Sequence, residues 1–300
     1  MSCQICGNEK YKIVGAPLIE PKVERFIRHE YKVVRCISCG FYYVNPEIDL
    51  SPYEWGKIYE DNYFAPVNDW HNKKRREDIK NRFDKLVGYT GVKEIDFLDV
   101  GCGEGLAIEE ALSRGWNVTA VDIVDHRTNG AKAEGVLFYE GSLNNVNFKN
   151  KKFDIIYLDS VLEHTTQPME YLRKLNELLK DNGFAYIGVP NEDSLFDNLR
   201  ELIFKTSGKE KISARTKPFV SPYHVVGFNK NSLNLALKKA GLSSVEFRIF
   251  ASLKEYKKYK FLSRGYLISL LSLPIYLLAR MMNNEVYMEV IITKFNNKMG

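Results

Sequence analysis

Apolar and polar positions divide this chain into three regimes. From residue 93 onward, short apolar runs alternate with segments whose apolar residues recur at helical spacing. Residues 95–100, 117–123, 136–139, 153–158, 184–189, 245–250 and 286–294 read as strands. Residues 106–114 and 169–180 read as helices, the second ended by Asn182-Gly183. The alternation predicts a doubly wound α/β domain over residues 93–296 with a mainly parallel sheet, in which ligands bind at the carboxyl ends of the strands.

Two insertions interrupt the pattern. The first, residues 191–226, is polar and basic, with Lys205, Lys209, Lys211, Arg215 and Lys217. Its position after the fifth strand suits a cover for the site or a solvated surface. The second, residues 252–284, contains an uncharged run over 265–279, broken by Pro274 and flanked by Lys257, Lys258, Lys260, Arg264 and Arg280. A membrane span needs about 20 apolar residues, so a crossing is not expected. A buried or substrate-facing helix pair is the expectation; a peripheral membrane contact, suited to a lipid-linked acceptor, is the alternative.

Upstream, residues 49–92 are rich in Tyr, Trp, Asn and charge, and Ile79, Phe83, Leu86 and Val87 recur at helical spacing. They read as a helical linker or lid. Residues 1–48 carry two C-x-x-C-G turns, Cys3/Cys6 and Cys36/Cys39. Four thiolates at that spacing suit a closed, structural Zn²⁺ site in a zinc ribbon, and so small a module needs its metal to fold. Cys102 reads as a small buried turn residue.

The candidate chemistry centres on I-D-F-L-D-V-G-C-G-E-G, residues 95–105. A strand ending in Asp99 runs into Gly101, Gly103 and Gly105, which let the backbone turn and approach a ligand. The dinucleotide fingerprint G-x-G-x-x-G fails, because Leu106 stands where its third glycine belongs. Asp122 ends the second strand, where a carboxylate can hold both hydroxyls of a ribose. A net charge of +5, from 43 basic and 38 acidic residues, permits nucleic acid without requiring it. The opening M-S-C-Q-I-C is no secretory signal, which makes the cytoplasm the expected compartment, with the inner membrane face as a peripheral location.

The run D-V-G-C-G-E-G resembles the first motif of class I S-adenosylmethionine-dependent methyltransferases, which have a Rossmann-like seven-stranded sheet. The resemblance implies that Asp122 holds the ribose, that Ser142 and Leu143 lie beside the adenine, and that Asp159 faces the methionine part. Residues 153–168, F-D-I-I-Y-L-D-S-V-L-E-H-T-T-Q-P, look like the corresponding segment of ubiquinone-biosynthesis O-methyltransferases, with Glu163 and His164 filling its Glu-His pair. S-P-Y-H-V-V-G-F, residues 221–228, looks like an H-x-x-x-F stretch of the same group. The N-terminal cysteines, Asn45-Pro46 and the aromatic run through Tyr63-Phe64 resemble zinc-ribbon methyltransferases of sugars and other small metabolites.

For an oxygen or carbon acceptor, His164 and His224 are the candidate bases. Tyr59 and Tyr63 are candidates to cap a sulfonium, with Trp55 and Trp70 under the same heading. The leading expectation is methyl transfer to an oxygen or carbon of a small molecule such as a sugar or nucleotide-sugar, with an anionic or lipid-linked acceptor among the candidates. RNA methylation, with the ribbon and the basic insertion gripping RNA, is the runner-up. A non-enzymatic, cofactor-binding interaction protein is third.

Overall fold

The computed structural model describes residues 2–59, 69–209, 211–251 and 259–295. Tyr63, Phe64, Lys257 and Lys258 fall outside that set, as does the side chain of Trp70. Seven strands form the main sheet: β4 (Asp96–Val100), β5 (Asn117–Asp122), β6 (Leu137–Glu140), β7 (Phe153–Asp159), β8 (Leu179–Pro190), β10 (Leu242–Phe250) and β11 (Tyr287–Lys294). Their order is β10-β11-β8-β7-β4-β5-β6, parallel from β6 to β8, with β11 antiparallel to both neighbours. Strand order reverses between β4 and β7, so the crevice at their carboxyl ends is the expected ligand site.

Helix α3 (Asp69–Thr90) forms a layer of the fold, not a free linker. Ile79, Phe83 and Leu86 are buried, and Phe83 stacks on Trp116 at 4.9 Å and meets Phe97 and Tyr157 edge-on. The 22-residue helix thereby seals one face of the sheet, joined by α4 (Leu106–Ser113). On the other face lies α5 (Pro168–Leu178), whose Met169, Leu172, Leu175 and Leu178 point into the second core cluster.

The expected ending of this last helix needs correction. It stops at Leu178, not at Lys180, and Asn182-Gly183 does not cap it. Leu179 already pairs with Phe153 in the sheet, and the Lys180 ammonium lies 2.7 Å from both Asp96 and Asp154. Sheet pairing and two carboxylates thus claim residues that propensity assigns to helix. Gly183 serves a close strand approach instead, since a Cβ there would lie 2.8 Å from the Phe153 carbonyl oxygen.

The N-terminal segment builds a second, four-stranded sheet from β1 (Tyr11–Gly15), β2 (Lys32–Cys36), β3 (Tyr42–Asn45) and β9 (Val226–Gly227). Its fourth strand comes from the far side of the sequence, so residues 1–48 share their sheet with a strand at the end of the first insertion. The first insertion also folds onto this module: Ala16 and Ile19 bridge to Ile212 and Phe219. Phe41 against Phe228 at 5.1 Å and Tyr31 against Phe219 at 5.0 Å make the junction apolar. Asp193 ties it with hydrogen bonds from Arg35, Tyr42 and Asn229. Arg215 is buried, donating to the Glu192 carbonyl and to Asn198, so the basic insertion does not present it to a phosphate backbone.

The second insertion is not buried as expected. Pro274 sits in the first turn of α9 (Leu273–Met281), which follows α8 (Arg264–Leu271); α8 buries no residue and α9 only Ala279. Fifteen uncharged residues give two short helices that offer apolar side chains on every face, more than the underlying fold can cover. Among the described residues no helix is long and apolar enough to cross a membrane.

Candidate active site

The glycine loop leaves β4 in the left-handed region, with φ +67° at Gly101, +52° at Gly103 and +85° at Gly105. At Gly101 a Cβ would lie 2.6 Å from Val161 Cγ2, and at Gly105 it would strike Ala131 Cβ. The backbone is therefore a cradle that side chains would fill, followed at once by the amino terminus of α4.

Two carboxylates flank it with different duties. Asp122 Oδ2 accepts a 2.8 Å hydrogen bond from the Gly103 amide and so orients the loop. Burial pushes the Asp122 carboxyl up, opposed by amides of Gly103, Ile123 and Val124. Asp99 is 3% exposed and its Oδ2 has no hydrogen-bond partner. Burial, then the charges of Asp122 and Asp159, drive its carboxyl well above the usual carboxylate range. A buried acceptor in that condition is matched to a cation or donor from a ligand. The loop after β6 closes alongside: Gly141 donates to the Asp122 carbonyl at 2.8 Å, Leu143 is buried and Ser142 is half-buried.

Asp159 is engaged elsewhere. Its Oδ2 takes a 2.7 Å ion pair from Arg82 and its Oδ1 a 2.8 Å hydrogen bond from the Tyr287 hydroxyl. Arg82 also reaches Glu289 at 3.4 Å and lies over the Tyr186 ring at 4.6 Å. These contacts brace the carboxylate at the end of β7, beside the carboxyl-terminal crevice of the sheet. Sequence reading missed Arg82, which sits in the highly charged N-K-K-R-R-E-D-I-K-N-R-F stretch with nothing to set it apart from its neighbours.

Beyond β7 the chain turns sharply. Ser160 adopts φ +61° and Val161 reaches back to Gly101, so the single turn Leu162–His164 begins beside the glycine loop. There Glu163, His164 and His224 converge, with ligating atoms all within 4.8 Å of one another. The two imidazoles meet edge to face at 4.9 Å, and His224 Nε2 lies 3.9 Å from Glu163 Oε1. The Tyr59 hydroxyl is 3.3 Å from His164 Nδ1, and its ring packs edge-on against Tyr223 at 5.4 Å. Glu163 is 1% exposed with both carboxylate oxygens unpartnered, and burial lifts its carboxyl to about 8. Burial lowers His164 to about 4; burial, then His164 and Lys217, depress His224 well below the ordinary imidazole value. At neutral pH the cluster therefore holds two uncharged imidazoles beside a protonated glutamic acid.

The four ribbon cysteines also converge. Sγ separations are 3.6 Å for Cys3 and Cys39 and 3.4 Å for Cys6 and Cys36. These are far beyond a disulfide, and near the edge of about 3.8 Å that a tetrahedron with metal–sulfur bonds of about 2.3 Å requires. Each turn is closed by glycine at φ +79°, with Gly7 donating to the Cys3 carbonyl and Gly40 to that of Cys36.

A family model described as a methyltransferase domain matches residues 71–246. A ubiquinone biosynthesis O-methyltransferase of Pelagibacter ubique is 28% identical over 212 residues, covering 65% of this chain and 84% of that protein. One of the same name from Rickettsia canadensis is 30% identical over 109 residues, covering 34% of this chain and 46% of that protein, so the chain spans about half the length of this relative. Among solved structures, the 1,6-didemethyltoxoflavin-N1-methyltransferase of Burkholderia thailandensis superposes with a TM-score of 0.53 at 16% identity, over 87% of this chain and 99% of its own. A SAM-dependent methyltransferase of Archaeoglobus fulgidus gives 0.51 at 19% identity, over 78% and 100%. Glycine cradle, strand order and family match agree: this chain belongs to the methyltransferase-domain family.

Proposed function

We propose that the protein transfers a methyl group to an oxygen or carbon of a small, anionic acceptor, with the His224–Glu163 pair, supported by His164, as proton acceptor. The observation that carries this reading is a buried glutamate with two unpartnered oxygens, 3.9 Å from an imidazole kept uncharged. S-adenosylmethionine, when bound, supplies an electrophilic methyl group for in-line displacement. The chain's tasks are then to align the acceptor and to take its proton. Gly101, Gly103 and Gly105 would receive the cofactor along their backbone, Asp122 its ribose, Ser142 and Leu143 its base, and Asp99 its ammonium group.

A hydroxyl or an acidic carbon is a poor nucleophile until it loses its proton. An uncharged imidazole accepts it at its free ring nitrogen, and an ionised Glu163 would stabilise the imidazolium that results. Lys217 favours an anionic acceptor, because it is half-buried near His224 and has no ion-pair partner within 4 Å among the described residues. The names of the Pelagibacter and Rickettsia relatives favour oxygen as the methylated atom. We further propose that Cys3, Cys6, Cys36 and Cys39 hold a structural Zn²⁺, on the strength of their near-tetrahedral spacing.

The test pairs binding with turnover. Calorimetry should detect S-adenosylhomocysteine binding to wild type and to His164→Ala and His224→Ala alike. With a panel of phenolic and nucleotide-sugar acceptors, turnover should fall about 10²- to 10⁴-fold in His224→Ala, the usual worth of a positioned base. Unchanged turnover in both variants would remove histidine base catalysis, and no heat with the cofactor product would remove the cofactor site as drawn.

A further inference from the structure

We propose that the α8–α9 pair is a docking surface for an anionic membrane, on which it lies without crossing. This stands apart from the methyl-transfer reading and needs none of its residues. Phe261 is 76% exposed, Leu271 78% and Met281 85%. Phe261 precedes α8, and Leu267, Ile268 and Leu278 extend the exposed apolar surface along the two helices. An exposed apolar surface of this kind marks an interaction site, since a water-soluble surface seldom keeps so many large aliphatic side chains together. The helices are eight and nine residues long, each about 12–14 Å at the usual rise per residue, too short to span a bilayer but suited to its interface.

Charge selects the partner. Residues 256–284 contain no Asp or Glu, yet hold Lys257, Lys258, Lys260, Arg264 and Arg280. Arg280 is committed to Glu285 at 3.1 Å. Lys260 and Arg264 are exposed and have no acidic partner within 4 Å among the described residues. The neighbouring helix α6 (Leu195–Thr206) continues the surface: Phe196 stacks on Tyr276 at 5.6 Å, Leu202 and Ile203 are exposed, and Lys205 follows. Apolar side chains beside unpaired cations match the acyl boundary and acidic headgroups of a bilayer. A second copy of the chain fits less well, because a two-fold contact would set this acid-free segment against itself.

Vesicle co-sedimentation of the full-length, zinc-loaded protein tests the proposal, using phosphatidylcholine vesicles with and without about 30% phosphatidylglycerol. Binding should be at least about tenfold stronger to the anionic vesicles and weaken in about 0.5 M salt, because screening shortens the reach of each charge. Lys260→Gln/Arg264→Gln should weaken it about 25-fold, at about fivefold per cation near such a surface. Leu271→Glu/Met281→Glu should abolish it, while thermal midpoint and S-adenosylhomocysteine affinity stay at wild-type values and show that the fold is intact. Wild type remaining in the supernatant with anionic vesicles would overturn the proposal, as would variants that sediment like wild type. A dimer seen by light scattering and dissociated by Leu271→Glu/Met281→Glu, without vesicle binding, would assign the surface to a second copy.

Discussion

Asp99→Asn should make the protein more stable and a poorer cofactor binder at once. In the free protein Asp99 is a desolvated carboxyl with an unpartnered oxygen and two further carboxylates nearby. Its folded-state affinity for a proton is raised above the unfolded value near 4. The sign follows: below about pH 4 both states are protonated and the residue costs nothing, and as pH climbs toward the folded-state value the ionised form increasingly favours unfolding. Asparagine removes that ionisation. At pH 8 the variant should gain about 1–3 kcal/mol, the order of the penalty for keeping an ionisable carboxyl rather than a neutral amide in a desolvated site. For a chain of this size that is a rise of about 2–6 °C in melting midpoint, shrinking as the buffer approaches pH 5. Loss of a charge-assisted hydrogen bond to the ligand's ammonium group costs about 1.5–3 kcal/mol, or about 10- to 150-fold in Kd. Differential scanning fluorimetry across pH and calorimetry with S-adenosylhomocysteine measure the two effects on one sample. A variant that melts at or below wild type at pH 8, and binds within twofold of it, would refute the idea that Asp99 is held strained for a cationic ligand.

Three further outcomes follow from the same geometry. Arg82→Ala leaves Asp159 and Glu289 without their shared cation and should cost about 3 kcal/mol in urea unfolding; a loss under about 1 kcal/mol would show that the bridge does little. Wild-type kcat should rise as pH passes about 8, where Glu163 ionises, and this limb should vanish in Glu163→Gln with the rate held on the low plateau; an unchanged limb would assign it to another group. Zinc analysis should return one ion per chain, and chelation or Cys36→Ser should lower the melting midpoint and expose the ribbon to protease; full stability without metal would dismiss the zinc site.

The glycine loop, Asp122 and all seven strands of the main sheet were legible in the sequence because each is a local pattern, an apolar run bounded by turn residues. The Glu163–His164 pair was legible only by resemblance. What escaped prediction depends on distant partners. The end of α5 is set by Phe153, Asp96 and Asp154, which no helical propensity at residues 179–183 can reveal. Arg82 is one cation among many until the fold sets it against Asp159 and Glu289. The α8–α9 run announces its apolar character plainly, but composition does not say whether other elements exist to cover it.

The pairing of β9 with β3 bears on how this protein can be taken apart. Val226 and Gly227 are stitched to Tyr43 and Tyr42, His224 lies two residues upstream, and the Val225 amide donates to the Glu163 carbonyl at 2.8 Å. A catalytic half expressed without its first 48 residues would forfeit the template that fixes both members of the proposed base. Swapping ribbons between related enzymes would likewise require the 221–228 stretch to travel with them, since inheritance of the metal-bearing end and of the proton-handling loop is mechanically linked.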